Sequence, residues 1–311
     1  MHTYTLIAPA KINLLLEIIG DRPDQFHELV MVLQSIDLAD IVELKPLSGE
    51  HIQLHCTHPD VPQDETNLAH RAAKLMQTQF PGKGGVDITI TKNIPIGAGL
   101  AGGSTDAAAV LVGLDLMWSL GLTQSELQIL GTALGSDVPF CVSGGTSLAL
   151  GRGEALTPLP DLDQFYAVLA KYRSLSISTP WAYQTYREQF SGSYAQTPDA
   201  QEQRRREGPS VPLLTAINHR DTEQISQYLY NDLERVVLPQ QSQVLALRKQ
   251  FEQFGCLGTM MSGSGPTVFA LTDSLEKAQL LKTQMKTAVA DPDLELWVTK
   301  FCTSGIRLQA P

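Results

Sequence analysis

The tract Pro95-Ile96-Gly97-Ala98-Gly99-Leu100-Ala101-Gly102-Gly103-Ser104-Thr105 sets Gly97, Gly99, Gly102 and Gly103 between a strand-like run and a helix-like one. Glycines there let the backbone approach a ligand and turn its N–H groups inward, while the dipole of the following helix favours anionic oxygens. The chemistry this serves is phosphate binding. A tight turn with close helix packing accounts for one or two such glycines but not for the whole set. A Walker A loop requires Lys before Ser or Thr, and Gly103 stands there instead. Gly97, Gly99 and Gly102 satisfy GxGxxG, yet a dinucleotide fold requires an acid at the end of the next strand, and Asp115 falls inside the helix pattern. His219-Arg220-Asp221 lacks the Asn and DFG partners of a protein kinase.

Two other places carry reactive side chains. Lys11 and Asn13 interrupt an apolar run, and Asp137 lies in Gly135-Ser136-Asp137-Val138-Pro139. Taken alone, Lys11 reads as an edge-strand charge and Asp137 as a turn or cap residue.

The elements that must position these groups alternate. Ile12, Leu14, Leu16 and Ile18 recur at period two, which predicts a strand whose other face carries Lys11, Asn13 and Glu17. Val86, Ile88 and Ile90 predict a second strand that stops near Pro95. Ala107, Ala108, Leu111, Leu114 and Met117 predict a buried helix over 104–119, capped by Ser104 or Thr105. Thr123 and Glu126 form a capping-box pattern for the next helix, closed by Gly135. A fresh strand at 165–170 follows a Pro-rich stretch, placing a domain boundary near 160. Residues 184–212 are polar and include Arg204-Arg205-Arg206, which reads as a mobile, solvated surface insertion. A second glycine loop runs from Met261 to Pro266, ahead of a strand at 268–271.

Among 311 residues, 23 Lys+Arg stand against 33 Asp+Glu, a net charge of −10. That balance lacks the basic footprint of nucleic-acid binding, so an anionic substrate must be held by a local arrangement. Cys56, Cys141, Cys256 and Cys302 form neither a CxxC pair nor a disulfide framework. The opening residues lack the pattern of a signal peptide and no segment is long enough to span a membrane, so we expect a cytoplasmic protein without a membrane or evident protein partner.

Three ordered motifs span nearly the whole chain: Ala8-Pro9-Ala10-Lys11-Ile12-Asn13-Leu14, the Pro-x-x-x-Gly-Leu-x-x-Gly-Ser tract from Pro95, and Met261-Ser262-Gly263-Ser264-Gly265-Pro266-Thr267. Together they resemble the GHMP kinase superfamily. The tracts 20–27, 134–140 and 151–154 are most similar to its branch that phosphorylates cytidylyl-methylerythritol, although Gln25 and Ala101 stand where that branch commonly has Gly, and Phe26 where it has Tyr. The resemblance implies an α+β, two-domain GHMP kinase fold. Residues 1–160 would be an ATP-binding domain like ribosomal protein S5 domain 2, with a left-handed βαβ crossover, and 161–311 a ferredoxin-like domain.

By the same resemblance Asp137 is the catalytic base and Lys11 its partner, while ATP, with Mg²⁺, lies on Pro95 to Thr105 and contacts Asn67 and Lys92. Asn13, Phe26, His27, Thr179 and Tyr183 would bind the acceptor, the aromatics by stacking and His27 at the base edge. The metal ligands stay open, Ser104 being one candidate. A kinase of another small alcohol, or a non-catalytic nucleotide-binding relative, are the alternatives.

Overall fold

The structure is a computed structural model, and it describes residues 2–309. The chain runs β1 (Tyr4–Asp21), β2 (His27–Leu47), β3 (Ile52–Cys56), α1 (Leu68–Gln79), β4 (Gly85–Thr91), α2 (Gly102–Trp118), α3 (Gln124–Thr132), α4 (Val138–Ser143), β5 (Thr146–Gly151) and β6 (Ala155–Pro158). It continues through β7 (Tyr166–Tyr172), α5 (Thr179–Phe190), α6 (Pro198–Glu207), α7 (Ser210–Asn218), α8 (Thr222–Gln227), β8 (Tyr230–Asn231), α9 (Glu234–Val237) and α10 (Ser242–Gln253). The last elements are β9 (Gly258–Met261), β10 (Val268–Thr272), α11 (Leu275–Val289), β11 (Leu294–Lys300) and β12 (Arg307–Leu308).

Two sheets form. The first has the order β12-β1-β2-β4-β3, with β5 on the first half of β2, β6 on β5, and β8 parallel to β1. The second is antiparallel with the order β11-β7-β10-β9, which is that of a ferredoxin-like unit, as expected. The second sheet opens at Tyr166, but β8 and β12 return to the first sheet, so the far half of the chain completes the near one.

Three apolar clusters hold these layers. One packs α1 and α2 on the first sheet, through Ala72, Ala107, Val110 and Leu111 against Leu44, Ile88 and Ile90. A second covers the other sheet with the C-terminal helices. The third lies between the sheets, where Ile12, Leu14 and Val32 meet Phe165, Leu169, Met260 and Phe269. Burying each such side chain contributes about 1.5–3 kcal/mol, so the seam between the sheets is itself core and the groups along it are held rigidly.

Several expectations are corrected. The pairing of β1 with β2 shifts register between Asn13 and Leu15, a bulge that turns the later side chains over. Leu16 therefore joins Lys11 and Asn13 on the cavity wall, while Glu17 faces away and accepts a 2.7 Å hydrogen bond from Arg204 Nε. The 184–212 tract is no solvated loop, because it contains most of α5 and all of α6. Arg204 meets the fully buried Glu17, and Arg205 donates to Glu28 Oε1 at 2.6 Å, while Arg206 alone of the three points to solvent. The charge partners lie far away in sequence, so composition alone reads as solvated. Helix α2 begins at Gly102 without a Ser or Thr cap, since Ala101 in the left-handed region takes the N-cap place. Helix α3 has the expected Thr123–Glu126 capping box but ends at Thr132, short of Gly135.

Candidate active site

The glycine tract leaves β4 and enters α2 as expected. Thr105 N–H makes the first helical bond, to Ala101 O at 2.9 Å, and no side chain caps the helix. The N–H groups of the first turn are thus left for an external acceptor, which the positive helix end reinforces. Two hydrogen bonds tie the loop's middle to its surroundings. Lys11 N–H donates to Leu100 O at 3.1 Å, tying it to β1, and Ser262 Oγ donates to Gly99 O at 3.1 Å. Gly99 has φ +74°, and a Cβ there would collide with Ser262 O and approach Gly265 N at 3.1 Å, so the two glycine loops meet where only glycine fits. The second loop is held in turn by Asn231 Nδ2, which donates to Met261 O and Gly263 O at 2.8 Å each.

Lys11 and Asn13 face this loop from β1. Lys11 Nζ donates to Asn13 Oδ1 at 2.7 Å and lies 3.6 Å from Asp137 Oδ2. Asp137 stands at the N-cap of α4, yet its side chain makes no capping bond. Asp137 lies in a turn at the helix start, as its local sequence suggested, but it does not cap the helix: its carboxylate, 30% exposed, stands beside a lysine that is only 6% exposed. A buried ammonium beside an open carboxylate suits proton acceptance at a polar reacting centre.

The other end of the cavity is aromatic. The His27 and Tyr183 rings lie 5.2 Å apart at 33°, and Tyr194 meets His27 edge-on at 6.0 Å. His27 Nε2 is buried without a hydrogen-bond partner, its nearest carboxylate oxygen on Asp21 being 3.8 Å away. Burial, then the neighbouring Arg187 guanidinium, pull the His27 imidazole down to about 4 despite Asp21, so it is neutral near pH 7. His27 lines the cavity, and a neutral imidazole can donate at one ring nitrogen and accept at the other. Phe26 is 49% exposed, with the Arg152 guanidinium 4.9 Å from its ring centre. Thr179 Oγ1 bonds Ser264 Oγ at 2.8 Å, linking this end to the second glycine loop.

Lys11, Asn13, Asp137, the loop from Pro95 to Ser104, Phe26, His27, Thr179 and Tyr183 line one cavity of about 1000 Å³, within the range of small-ligand sites. Asn67 and Lys92 also line it, but their polar atoms are engaged. Asn67 Oδ1 accepts from Ala69 N–H at 2.8 Å and its Nδ2 donates to Pro62 O at 2.7 Å, while Lys92 Nζ sits between Asp40 and Asp106. They shape the wall instead of offering free side-chain contacts. Thr105 lies just behind it, with its hydroxyl buried. Residues not anticipated include Met31, which accepts from Asn13 Nδ2 at 3.5 Å, and Arg187, which donates to Asp21 Oδ1 and Gln25 O. The family-like GRGE tract pointed toward Arg152, but nothing local marked Arg187.

The departures from glycine have a backbone meaning. Gln25 (φ +68°) and Ala101 (φ +58°) both occupy the left-handed region that favours Gly. Among the described residues no cluster of three His, Cys, Asp or Glu side chains could hold a metal. Ser104, within the glycine tract, and Asp137 both bring side-chain oxygens to the cavity, the kind of donor a hard cation takes.

Comparison with known proteins places the fold in a family. The models described as GHMP kinases N terminal domain and GHMP kinases C terminal match residues 67–145 and 213–291. A 4-diphosphocytidyl-2-C-methyl-D-erythritol kinase of Acaryochloris marina is 74% identical over 308 residues, covering 99% of both chains. One of Nostoc punctiforme is 60% identical over 313 residues, again covering 99% of both. The crystal structure of a 4-(cytidine 5'-diphospho)-2C-methyl-D-erythritol kinase superposes with TM-score 0.74 at 29% identity, covering 96% of this chain and 98% of the other. A homoserine kinase from Cytophaga hutchinsonii superposes with TM-score 0.76 at 19% identity over 99% and 98% of the two chains, which is a likeness of fold.

Proposed function

The chain belongs to the GHMP kinases and has their two-domain fold, and on that basis we propose that it transfers the γ-phosphoryl group of ATP to the 2-hydroxyl of 4-diphosphocytidyl-2-C-methyl-D-erythritol. The products are the 2-phosphate and ADP, a step of the non-mevalonate route to isoprenoids. The observation that carries the reading is the placing of Lys11 and Asp137 between an uncapped helix N-terminus and an aromatic end with a bare imidazole nitrogen. Full-length relatives at 56–74% identity support the same substrate.

In this reading residues 1–160 bind ATP, with its phosphates along Pro95 to Thr105, and 161–311 form the second domain, the site lying where the two meet. Ser104 and Asp137 are among the cavity's side-chain oxygens that would hold a Mg²⁺ carried by the nucleotide, and such an ion would supply neutralisation of phosphate charge. Phe26 and Tyr183 stack the cytosine, His27 bonds its edge, and Thr179 and Asn13 orient the rest of the acceptor. Stacking on such platforms contributes about 1–3 kcal/mol per base.

An alcohol is far less acidic than a carboxylic acid, so Asp137 does not ionise it beforehand. It orients the hydroxyl in line with the γ-phosphorus and accepts the proton late, in a loose transition state. Lys11, 3.6 Å from Asp137, steadies charge at the attacking oxygen. Positioning carries most of the rate in such chemistry. The reading is tested by ³¹P NMR of the reaction mixture: a new phosphomonoester beside an intact diphosphate supports it, and loss of the diphosphate signal contradicts it.

A further inference from the structure

The mechanism uses neither the most buried charges of the cavity wall nor the lysine that the family likeness placed against adenosine. Lys92, just past the end of β4, directs its ammonium into the protein between Asp40 of β2 and Asp106 of α2. The three side chains are 4%, 0% and 4% exposed. Lys92 Nζ donates to Asp106 Oδ2 at 2.7 Å and, more closely still, to Asp40 Oδ2.

The residues joined in this way have a special place in the chain. Lys92 is the entrance of the glycine tract and Asp106 its exit, within the first turns of α2, so their bond closes the loop end to end. Asp40 adds a second anchor. Its Oδ1 accepts the backbone N–H of Asn93 at 2.6 Å and of Ile94 at 2.8 Å, the two residues that lead into the loop. Asn93 Nδ2 donates to Ala39 O at 2.9 Å, and Lys92 N–H donates to Thr57 Oγ1 at 2.9 Å. At the far end, a Cβ on Gly102 would come within 2.9 Å of Lys92 Nζ, so the ammonium packs directly against the first residue of α2. Nothing of this kind is required merely to bury α2, whose alanines already do so.

We infer that Asp40, Lys92 and Asp106 form an ionic staple that closes the phosphate loop, and that Asp106 is a positioning residue for the triphosphate. The inference deepens the kinase reading and rests on the triphosphate lying along this loop. A loop fixed at both ends presents its N–H groups without further ordering on binding, which lowers the cost of capturing a flexible anion. Fixing the loop by an internal pair also explains why Lys92 offers no free cation to the ligand. Lys92 reaches both carboxylates, so its charge offsets part of theirs beside the phosphates.

The test compares Asp106→Ala, which cuts the staple, with Asp106→Asn, which keeps an oxygen within reach of Lys92. Two readouts are taken near pH 7: KM for ATP and the acceptor at steady state, and calorimetric binding of a non-hydrolysable ATP analogue with Mg²⁺ and no acceptor. We expect Asp106→Ala to raise KM for ATP and the analogue Kd at least tenfold with the acceptor KM within twofold, and Asp106→Asn to stay within threefold of wild type. Asp106→Ser, polar but too short, replaces the alanine variant if that does not fold. Unchanged analogue binding in a folded Asp106→Ala or Asp106→Ser protein overturns the staple, as does equal loss of ATP and acceptor affinity. Analogue binding that follows the staple in a wild-type protein inert toward the acceptor overturns the substrate assignment and leaves the staple standing.

Discussion

Lys11 Nζ stands 2.7 Å from Asn13 Oδ1 but 3.6 Å from Asp137 Oδ2, so the ammonium is hydrogen-bonded to the amide and only electrostatically paired with the carboxylate. The difference matters for the chemistry. Asp137 is held near a positive charge without having its lone pairs consumed, and both oxygens remain able to accept a proton from an incoming hydroxyl. Asn13, two residues along the same strand face, fixes the lysine so that it cannot swing in to close that gap.

Removing the proton acceptor should therefore damage turnover and spare nucleotide binding. Asp137→Ala is expected to lower kcat at least about 10³-fold while the Kd for an ATP analogue changes less than threefold. Rapid-quench turnover together with calorimetry checks this, and unchanged turnover in the folded variant removes Asp137 from the mechanism.

His27 belongs to the acceptor end. His27→Ala should raise the acceptor KM tenfold or more and leave that for ATP within twofold, because a bare buried acceptor or donor is lost only to the cytosine. The same residue makes a stability prediction. Its native value of about 4 lies below the ordinary 6.5, so between those values the unfolded chain binds the extra proton. Stability contributed by neutral His27 is complete above about pH 6.5 and falls as the pH drops toward 4, by up to about 3 kcal/mol. Urea denaturation of wild type and His27→Gln across that range should show a steeper acid loss in the wild type; parallel profiles would contradict the assigned state.

Asp106 titrates in the opposite direction. Burial lifts it to about 8, Lys92 only partly opposing this and Asp40 adding to it. The groups around it are Lys92 past β4, Asp40 on β2, Cys56 on β3 and Cys141 on α4, with Asp137 and Lys11 beyond Cys141; α1 presents Ala69, Ala72 and Ala73. A raised Asp106 is neutral to higher pH than an ordinary carboxylate, and its ionisation adds a negative charge at the N-terminus of α2. KM for ATP should accordingly rise toward alkaline pH, and this rise should be absent in Asp106→Asn. An identical alkaline rise in both proteins would assign it elsewhere.

The two loop positions in the left-handed region should respond oppositely to substitution. Ala101→Gly removes a strain of about 1–2 kcal/mol per residue and adds unfolded-chain freedom of about 0.4–1 kcal/mol, so its net effect is between neutral and about 1.6 kcal/mol stabilising. Ala107→Gly, inside the same helix, should cost about 1 kcal/mol. Gly99→Ala drives a methyl into Ser262 O and should lower kcat/KM for ATP at least tenfold by parting the two glycine loops. Chemical denaturation and steady-state kinetics of the three variants decide the matter.

What was legible in the sequence was the local part. Period-two spacing put Lys11 and Asn13 on one face, and the glycine tract between a strand and a helix is where it should be. The ferredoxin-like order of the second sheet came from family likeness and not from periodicity. What escaped depended on contacts far along the chain. A bulge between Asn13 and Leu15 reversed Glu17, and its partner Arg204 lies on α6, which on composition reads as a solvated loop. The use of Lys92 could not be read from its neighbours, because Asp40 and Asp106 come from β2 and α2. A left-handed Ala101 in place of a Ser cap has no local signature beyond its departure from Gly in the related loops.

The central claim is that this cavity phosphorylates a cytidylylated alcohol. Its most direct test is ADP release by the purified protein with ATP and Mg²⁺, comparing 4-diphosphocytidyl-2-C-methyl-D-erythritol with mevalonate, homoserine, galactose and methylerythritol phosphate lacking cytidine. The account predicts release with the cytidylylated compound alone. Release with any other alcohol at comparable kcat/KM, or none with the cytidylylated compound, would contradict it.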